Sequence, residues 1–187
     1  MGVLSSELPG SLAILAVHLV FAHPAQDIFP VEKCHVTVPI GLGIPAIALF
    51  PVIDATLKTP DGREAWVSTE LAGEVWVIDR AKGETAGKIE FLPPGMRKND
   101  VTPVGLTISG DGKTAYVGLG HASHVAQVDV ATRKVEAYLL VGKRPWGLTL
   151  SKDGKRLYVA NGLGDDVTVI DTASRRALVS IPTGRVP

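Results

Sequence analysis

Ser151-Lys-Asp-Gly-Lys-Arg-Leu-Tyr-Val-Ala-Asn161, followed by Val167-Thr-Val-Ile-Asp171, is the stretch that decides how this chain folds. Its Asp-Gly pair stands between two segments that read as extended, and glycine supplies the positive φ that a tight hairpin turn needs. The same pair occurs upstream at Asp61-Gly62 and Asp111-Gly112. Five residues after each of these aspartates comes an aromatic followed by valine: Trp66-Val67, Tyr116-Val117 and Tyr158-Val159. Eighteen residues after each lies a further aspartate closing an apolar alternation, in Val75-Trp-Val-Ile-Asp79, Val125-Ala-Gln-Val-Asp129 and Val167-Thr-Val-Ile-Asp171. A Pro-x-Gly precedes the second and third pairs, at Pro103-Val-Gly105 and Pro145-Trp-Gly147.

The repeats are 50 and then 42 residues apart, and the extra eight fall around the loop-forming Phe91-Leu-Pro-Pro-Gly-Met-Arg-Lys-Asn-Asp100. A period near 42 residues is what a four-stranded β-propeller blade requires. In the second repeat, Leu106–Ser109 reads as the innermost strand, Thr114–Leu119 as the second, Val125–Val130 as the third and Val135–Val141 as the outer one. The expected fold is therefore all-β, with three four-stranded blades over about 53–102, 103–144 and 145–187, preceded by residues 1–52, which match no repeat. The six recurrent aspartates read as turn carboxylates that accept backbone N–H bonds, and not as paired catalytic acids.

Two departures bear on completeness. Where Pro-x-Gly should open the first repeat, the chain reads Ile53-Asp54-Ala55, and Arg185-Val186-Pro187 looks like the start of another repeat. Three blades cannot close a ring, since propellers ordinarily have four to eight. The sequence is thus expected to be the C-terminal portion of a larger propeller or a truncated gene product. Each end blade would then have a sheet face without a neighbour, an apolar surface that favours association.

Composition fits a globular protein, with 45% apolar and 20% charged residues. Lys+Arg and Asp+Glu balance at 19 each, so nothing in the bulk charge draws the chain to nucleic acid or an anionic membrane. A single cysteine, Cys34, excludes an internal disulfide framework. Within residues 1–52, the apolar run Ser11–Ala22 is too short to span a bilayer but has the length of a signal-peptide core. Ala22, Pro24 and Ala25 follow as a cleavage region would, yet Glu7 and no Lys or Arg precede the run. An export signal, a buried or irregular segment, and a stretch foreign to the repeat array all stay open. No transmembrane span is expected.

Ser151-x-Asp-Gly-Lys-x-x-Tyr-Val-x-Asn161 followed by Val-x-Val-Ile-Asp resembles the signature of YVTN-family β-propeller repeats. From about Val67 to Pro187, the chain is similar to propeller proteins associated with pyrroloquinoline-quinone (PQQ)-dependent alcohol catabolism in bacteria. The Pro-Pro-Gly insertion before Asp100-Val-Thr-Pro-Val-Gly105, and Val141-Gly-Lys-Arg-Pro-Trp-Gly147, carry that likeness. The resemblance implies a seven-bladed ring, export to the periplasm and an association with PQQ chemistry, although no cofactor site of the chain's own is evident. Seven blades would need roughly 290 residues at this period.

In such a blade, the turn joining the second and third strands and the connection between blades emerge on one face. Those second-to-third turns vary here, as Leu71-Ala-Gly-Glu74, His121-Ala-Ser-His124 and Leu163-Gly-Asp-Asp166. Variable loops on a repeated scaffold are where specificity sits. His121 and His124 could form half of a metal site, with Asp165 or Asp166 as the nearest further ligands; the competing reading is two solvated turn histidines. Arg144 and Trp146, and on the same face Arg185, could bind a planar organic anion by stacking and charge-assisted bonds; the competing reading of Trp146 is inter-blade packing. No catalytic motif is recognisable. The expected role is a non-catalytic binding or scaffold protein engaging a periplasmic quinoprotein dehydrogenase or a small organic anion. The alternatives are an enzyme or enzyme subunit of the quinoprotein-dehydrogenase or lactonase kind, with its site at the propeller axis, and an incomplete product.

Overall fold

A computed structural model of the chain describes residues 53–185 and 187; residues 1–52, with the signal-like run and Cys34, lie outside the described residues. Twelve strands form three four-stranded antiparallel sheets, each in chain order. The first blade holds β1 (Ile53–Lys58), β2 (Glu64–Thr69), β3 (Glu74–Asp79) and β4 (Glu84–Glu90). The second holds β5 (Pro103–Ile108), β6 (Thr114–Leu119), β7 (His124–Asp129) and β8 (Lys134–Leu140). The third holds β9 (Pro145–Leu150), β10 (Arg156–Asn161), β11 (Asp166–Asp171) and β12 (Arg176–Pro182). The first strands of successive blades lie side by side, β1 beside β5 and β5 beside β9. This is a partial β-propeller, and the strands fall where the repeat places them. Among the described residues, no helix is long and apolar enough to cross a membrane.

The turns follow from local chemistry. Gly62, Gly112 and Gly154 take φ of 71°, 73° and 71°. The aspartate before each accepts a hydroxyl bond at 2.6 Å, from Thr59, Ser109 and Ser151, and the backbone N–H of Arg63, Lys113 or Lys155. Those bonds, the hydroxyl first and the N–H second, hold the carboxyls of Asp61, Asp111 and Asp153 below the usual range. At the end of the third strand, Asp129 accepts the hydroxyl and N–H of Thr132, and Asp171 the N–H and hydroxyl of Ser174; both carboxyls are lowered as a result. Asp79 accepts the N–H groups of Ala81 and Lys82 in the same place. All six aspartates therefore serve turns.

The core lies between blades. Trp66, Val75, Val77 and Ile89 of the first blade, with Phe91, pack against Ala115, Val117, Leu119, Ala126 and Val128 of the second. Tyr116, Val125 and Leu139 of the second blade then pack against Leu157, Val159 and Ile170 of the third. Each valine, leucine, isoleucine or phenylalanine among them contributes roughly 1.5–3 kcal/mol when fully buried. Period-2 alternation turns one set of side chains in every sheet backward to the preceding blade and the other set forward to the next. Close approach at the inner strands explains Pro-x-Gly: a Cβ on Gly105 would lie 1.9 Å from the Trp146 carbonyl oxygen.

Arginines fasten the seams. Arg133, in the β7–β8 turn with φ 58°, donates to Glu64 at 2.6 Å and to the Ala86 carbonyl at 2.7 Å in the blade before it. Arg175 occupies the same place in the β11–β12 turn, also at φ 58°, and donates to Glu136 at 2.6 Å. In the first blade this left-handed position is filled by Gly83, to which the conformation costs least.

The first repeat forms β1 without Pro-x-Gly. The irregularity that Pro103–Leu106 makes against β6 recurs between Ile53 and Thr56 against β2, and there the Ser68 hydroxyl accepts the Ala55 N–H at 2.9 Å. A side-chain bond thus serves the bulge. The expected bare face is present on the third blade, where all seven residues of β12 are exposed.

Candidate functional site

Three blades bring one residue each to a common point. Glu70 follows β2 in the first blade. His121 sits in the 3-10 turn Gly120–Ala122 after β6 in the second, and Arg144 immediately precedes β9 of the third. The His121 turn is tied to the inter-blade connection, because Thr102 accepts the Gly120 N–H on its carbonyl at 2.8 Å and the His121 N–H on its hydroxyl at 2.9 Å. Arg144 has φ 56°, left-handed backbone for a residue that precedes proline, and its carbonyl accepts the Gly162 N–H at 2.9 Å. Non-glycine residues hold that conformation when their surroundings over-determine it.

The Arg144 guanidinium is the centre of the cluster. Nη2 donates to Glu70 Oε1 at 3.1 Å, and both side chains are mostly shielded, at 21% and 17% exposure. Nη1 meets His121 Nε2. The guanidinium carbon also stands 4.8 Å from the centroid of the Trp146 ring, which is 44% exposed. The first of these contacts neutralises the cation, the second fixes a tautomer and the third supplies an open aromatic face. A guanidinium cannot accept a hydrogen bond, so Nε2 must, and the neutral imidazole then carries its proton on Nδ1. Asp100, beyond His121, is held below the usual carboxylate range chiefly by the hydrogen bond and charge of Arg97.

Of the residues singled out from sequence, the structure joins Arg144, Trp146 and His121. The side-chain bonds of His124 and Asp166 lie elsewhere. His124 donates Nδ1–H to the Ala122 carbonyl at 2.6 Å, within its own turn. Asp166 accepts Asn161 at 2.9 Å and the Ser180 hydroxyl, which is a brace for the end of the third blade. Asp165 takes φ 55°, and its carbonyl accepts the Thr183 N–H at 2.9 Å. Arg185 is exposed beyond β12. Among the described residues, no three His, Cys, Asp or Glu side chains gather as a metal site would require. Glu70 was missed because the variable turn was read from Leu71 onward. Its signal was an acid where the other two repeats have Gly120 and Gly162.

Residues 56–180 match the model of the family described as lactonase, 7-bladed β-propeller. Among solved structures, a chain of the hydrazine synthase of Kuenenia stuttgartiensis is similar, with a TM-score of 0.67 at 24% identity over 75% of this chain and 38% of its own. U3-55K gives a TM-score of 0.61 at 16% identity over 70% of this chain and 39% of its own. The RRP9 WD40 repeats give 0.61 at 15% over 70% and 38%. At such identities the likeness is one of fold, and the chain spans about two fifths of the length of these structures. No curated protein matches it. The family match covers more than half of the chain, which therefore belongs to the lactonase, 7-bladed β-propeller family.

Proposed function

We propose that this member of the lactonase propeller family contributes a binding site for a small, flat, carbonyl-bearing molecule, a lactone or its hydroxy acid, centred on Arg144. The observation that carries this reading is the guanidinium's remaining capacity. Arginine has five N–H donors, and the bonds to Glu70 and His121 engage two of them. The donors left over lie beside the open Trp146 ring, so one group can receive a carbonyl oxygen while the other stacks on the ring body. Convergent polar groups next to an aromatic surface are what small-molecule sites require. A binding role is favoured over turnover because the Nε2 of His121, the acceptor a general base would use, is engaged by Arg144.

Tryptophan fluorescence and ligand-observed NMR with phthalide, a planar lactone, test this reading. Arg144→Ala and Trp146→Ala should each weaken binding about tenfold or more. Equal affinity in all three proteins would remove Arg144 as the centre.

A second reading rests on the motif Val141-Gly-Lys-Arg-Pro-Trp-Gly147, which supplies both Arg144 and Trp146. Its likeness to propellers of PQQ-dependent alcohol catabolism supports an exported binding or scaffold protein that engages a periplasmic quinoprotein dehydrogenase. Cell fractionation that left the protein in the cytoplasm would speak against it, as would failure to co-purify with such a dehydrogenase.

A further inference from the structure

The Arg144 guanidinium already has its counter-charge in place. Glu70 neutralises Arg144 through a mostly shielded pair at 3.1 Å, and His121 Nε2 meets the same guanidinium. The neighbouring Asp100 is matched in turn by Arg97, at 2.7 Å. An anion entering beside Trp146 would meet a cation that already has its carboxylate. It would also sit close to that carboxylate, and like charges in a partly desolvated site repel. A neutral carbonyl group accepts the same N–H donors without that repulsion. The repeat offers a reference, because the positions equivalent to Glu70 are Gly120 and Gly162. The acid is thus a feature of the first blade alone and not a need of the turn.

We infer that Glu70 is the specificity-determining residue of this site, setting it to take the uncharged cyclic ester over the open carboxylate. The inference rests on the proposed binding at Arg144. The Glu70 carboxylate touches the arginine and not the ligand, so it acts by fixing the charge that the ligand meets. Removing that charge while keeping the side chain's size should invert the preference.

The test measures affinities of the full 187-residue chain for phthalide and for 2-(hydroxymethyl)benzoate, its hydrolysed form. The wild-type protein should prefer the lactone. In Glu70→Gln the ratio of the two affinities should shift toward the carboxylate by about tenfold, and carboxylate binding should weaken as salt is added. Glu70→Asp keeps the charge and should keep the wild-type preference, with thermal denaturation checking that both variants fold. An unchanged ratio in Glu70→Gln, with binding retained, overturns the role of Glu70 and leaves the site standing. So does an equal shift in Glu70→Asp, which would mean that shape and not charge decides. If the wild-type protein binds neither compound, the site reading and this inference fall together.

Discussion

The forward face of the second blade and the forward face of the third carry the same pattern and meet different surroundings. Tyr116 is 4% exposed, and its counterpart Tyr158 is 38% exposed. Leu139 is 8% exposed, and Ile181 is 46% exposed. The Gly105 position is closed by the backbone of the next blade, whereas the nearest atom to a Cβ on Gly147 would be the Ala160 Cβ at 3.7 Å in its own sheet. Alternation on a propeller strand therefore encodes an appointment with a neighbour. It says nothing about whether the neighbour is present, and it stays legible on a face that is bare.

Paired substitutions on the two faces put this comparison at risk. The largest difference is expected at the inner strands. Gly105→Ala forces a Cβ into the Trp146 carbonyl and should cost about 3 kcal/mol or more, whereas Gly147→Ala should stay within about 0.5 kcal/mol. Urea denaturation of both variants gives the answer, and equal losses would mean that the two faces are equally covered in solution. Next comes truncation of the aromatics. Tyr116→Ala should lose about 3 kcal/mol, and Tyr158→Ala about 1 kcal/mol or less.

The fasteners should separate the two seams more gently. Replacing Arg133 or Arg175 by glycine leaves the left-handed backbone unstrained and removes only the side chain. Arg133 makes two bonds and is the better shielded, while the Arg175 pair is more open. Arg133→Gly should therefore be the more damaging by about 1 kcal/mol. The smallest contrast should appear in acid. The carboxyls of Asp61, Asp111 and Asp153 are lowered by the same bonds in all three blades. A lowered carboxyl stabilises the fold fully above the ordinary carboxylate range and loses that contribution as pH falls below about 4. Thermal melts between pH 6 and 3 should then show a decline shared by every blade, and Asp-to-Asn changes in single blades should flatten it by similar amounts. A decline confined to one blade's aspartate would break the equivalence of the turns.

Much of the fold was readable from spacing because each offset answers to a local physical need. Asp-Gly needs a positive φ, the closing aspartate needs a turn with free N–H groups, and the aromatic-valine pair needs both faces of one strand. The first strand of the first blade escaped its marker because the bulge there is served by Ser68, a residue of another strand. The candidate site was legible in part. Arg144 and Trp146 lie two residues apart, and a sequence shows such pairs. Glu70 comes to Arg144 only when the blades are packed, since 74 residues of chain separate the two. The two histidines looked like one motif by spacing, but the left-handed Ser123 between them, at φ 53°, sends their rings to separate tasks.

The backward-reaching arginines give the array a direction. Arg133 and Arg175 each reach back to the blade before, and among the described blades the second carries both a clasp for its predecessor and a catch for its successor. On the third blade the catch has changed. The places of Glu64 and Glu136 are taken there by Arg156, whose charge is held by Asp171, and by the exposed Leu178. A sheet bearing the usual arginine would find no carboxylate waiting at either place. The bare face thus presents different side chains from the two seams before it.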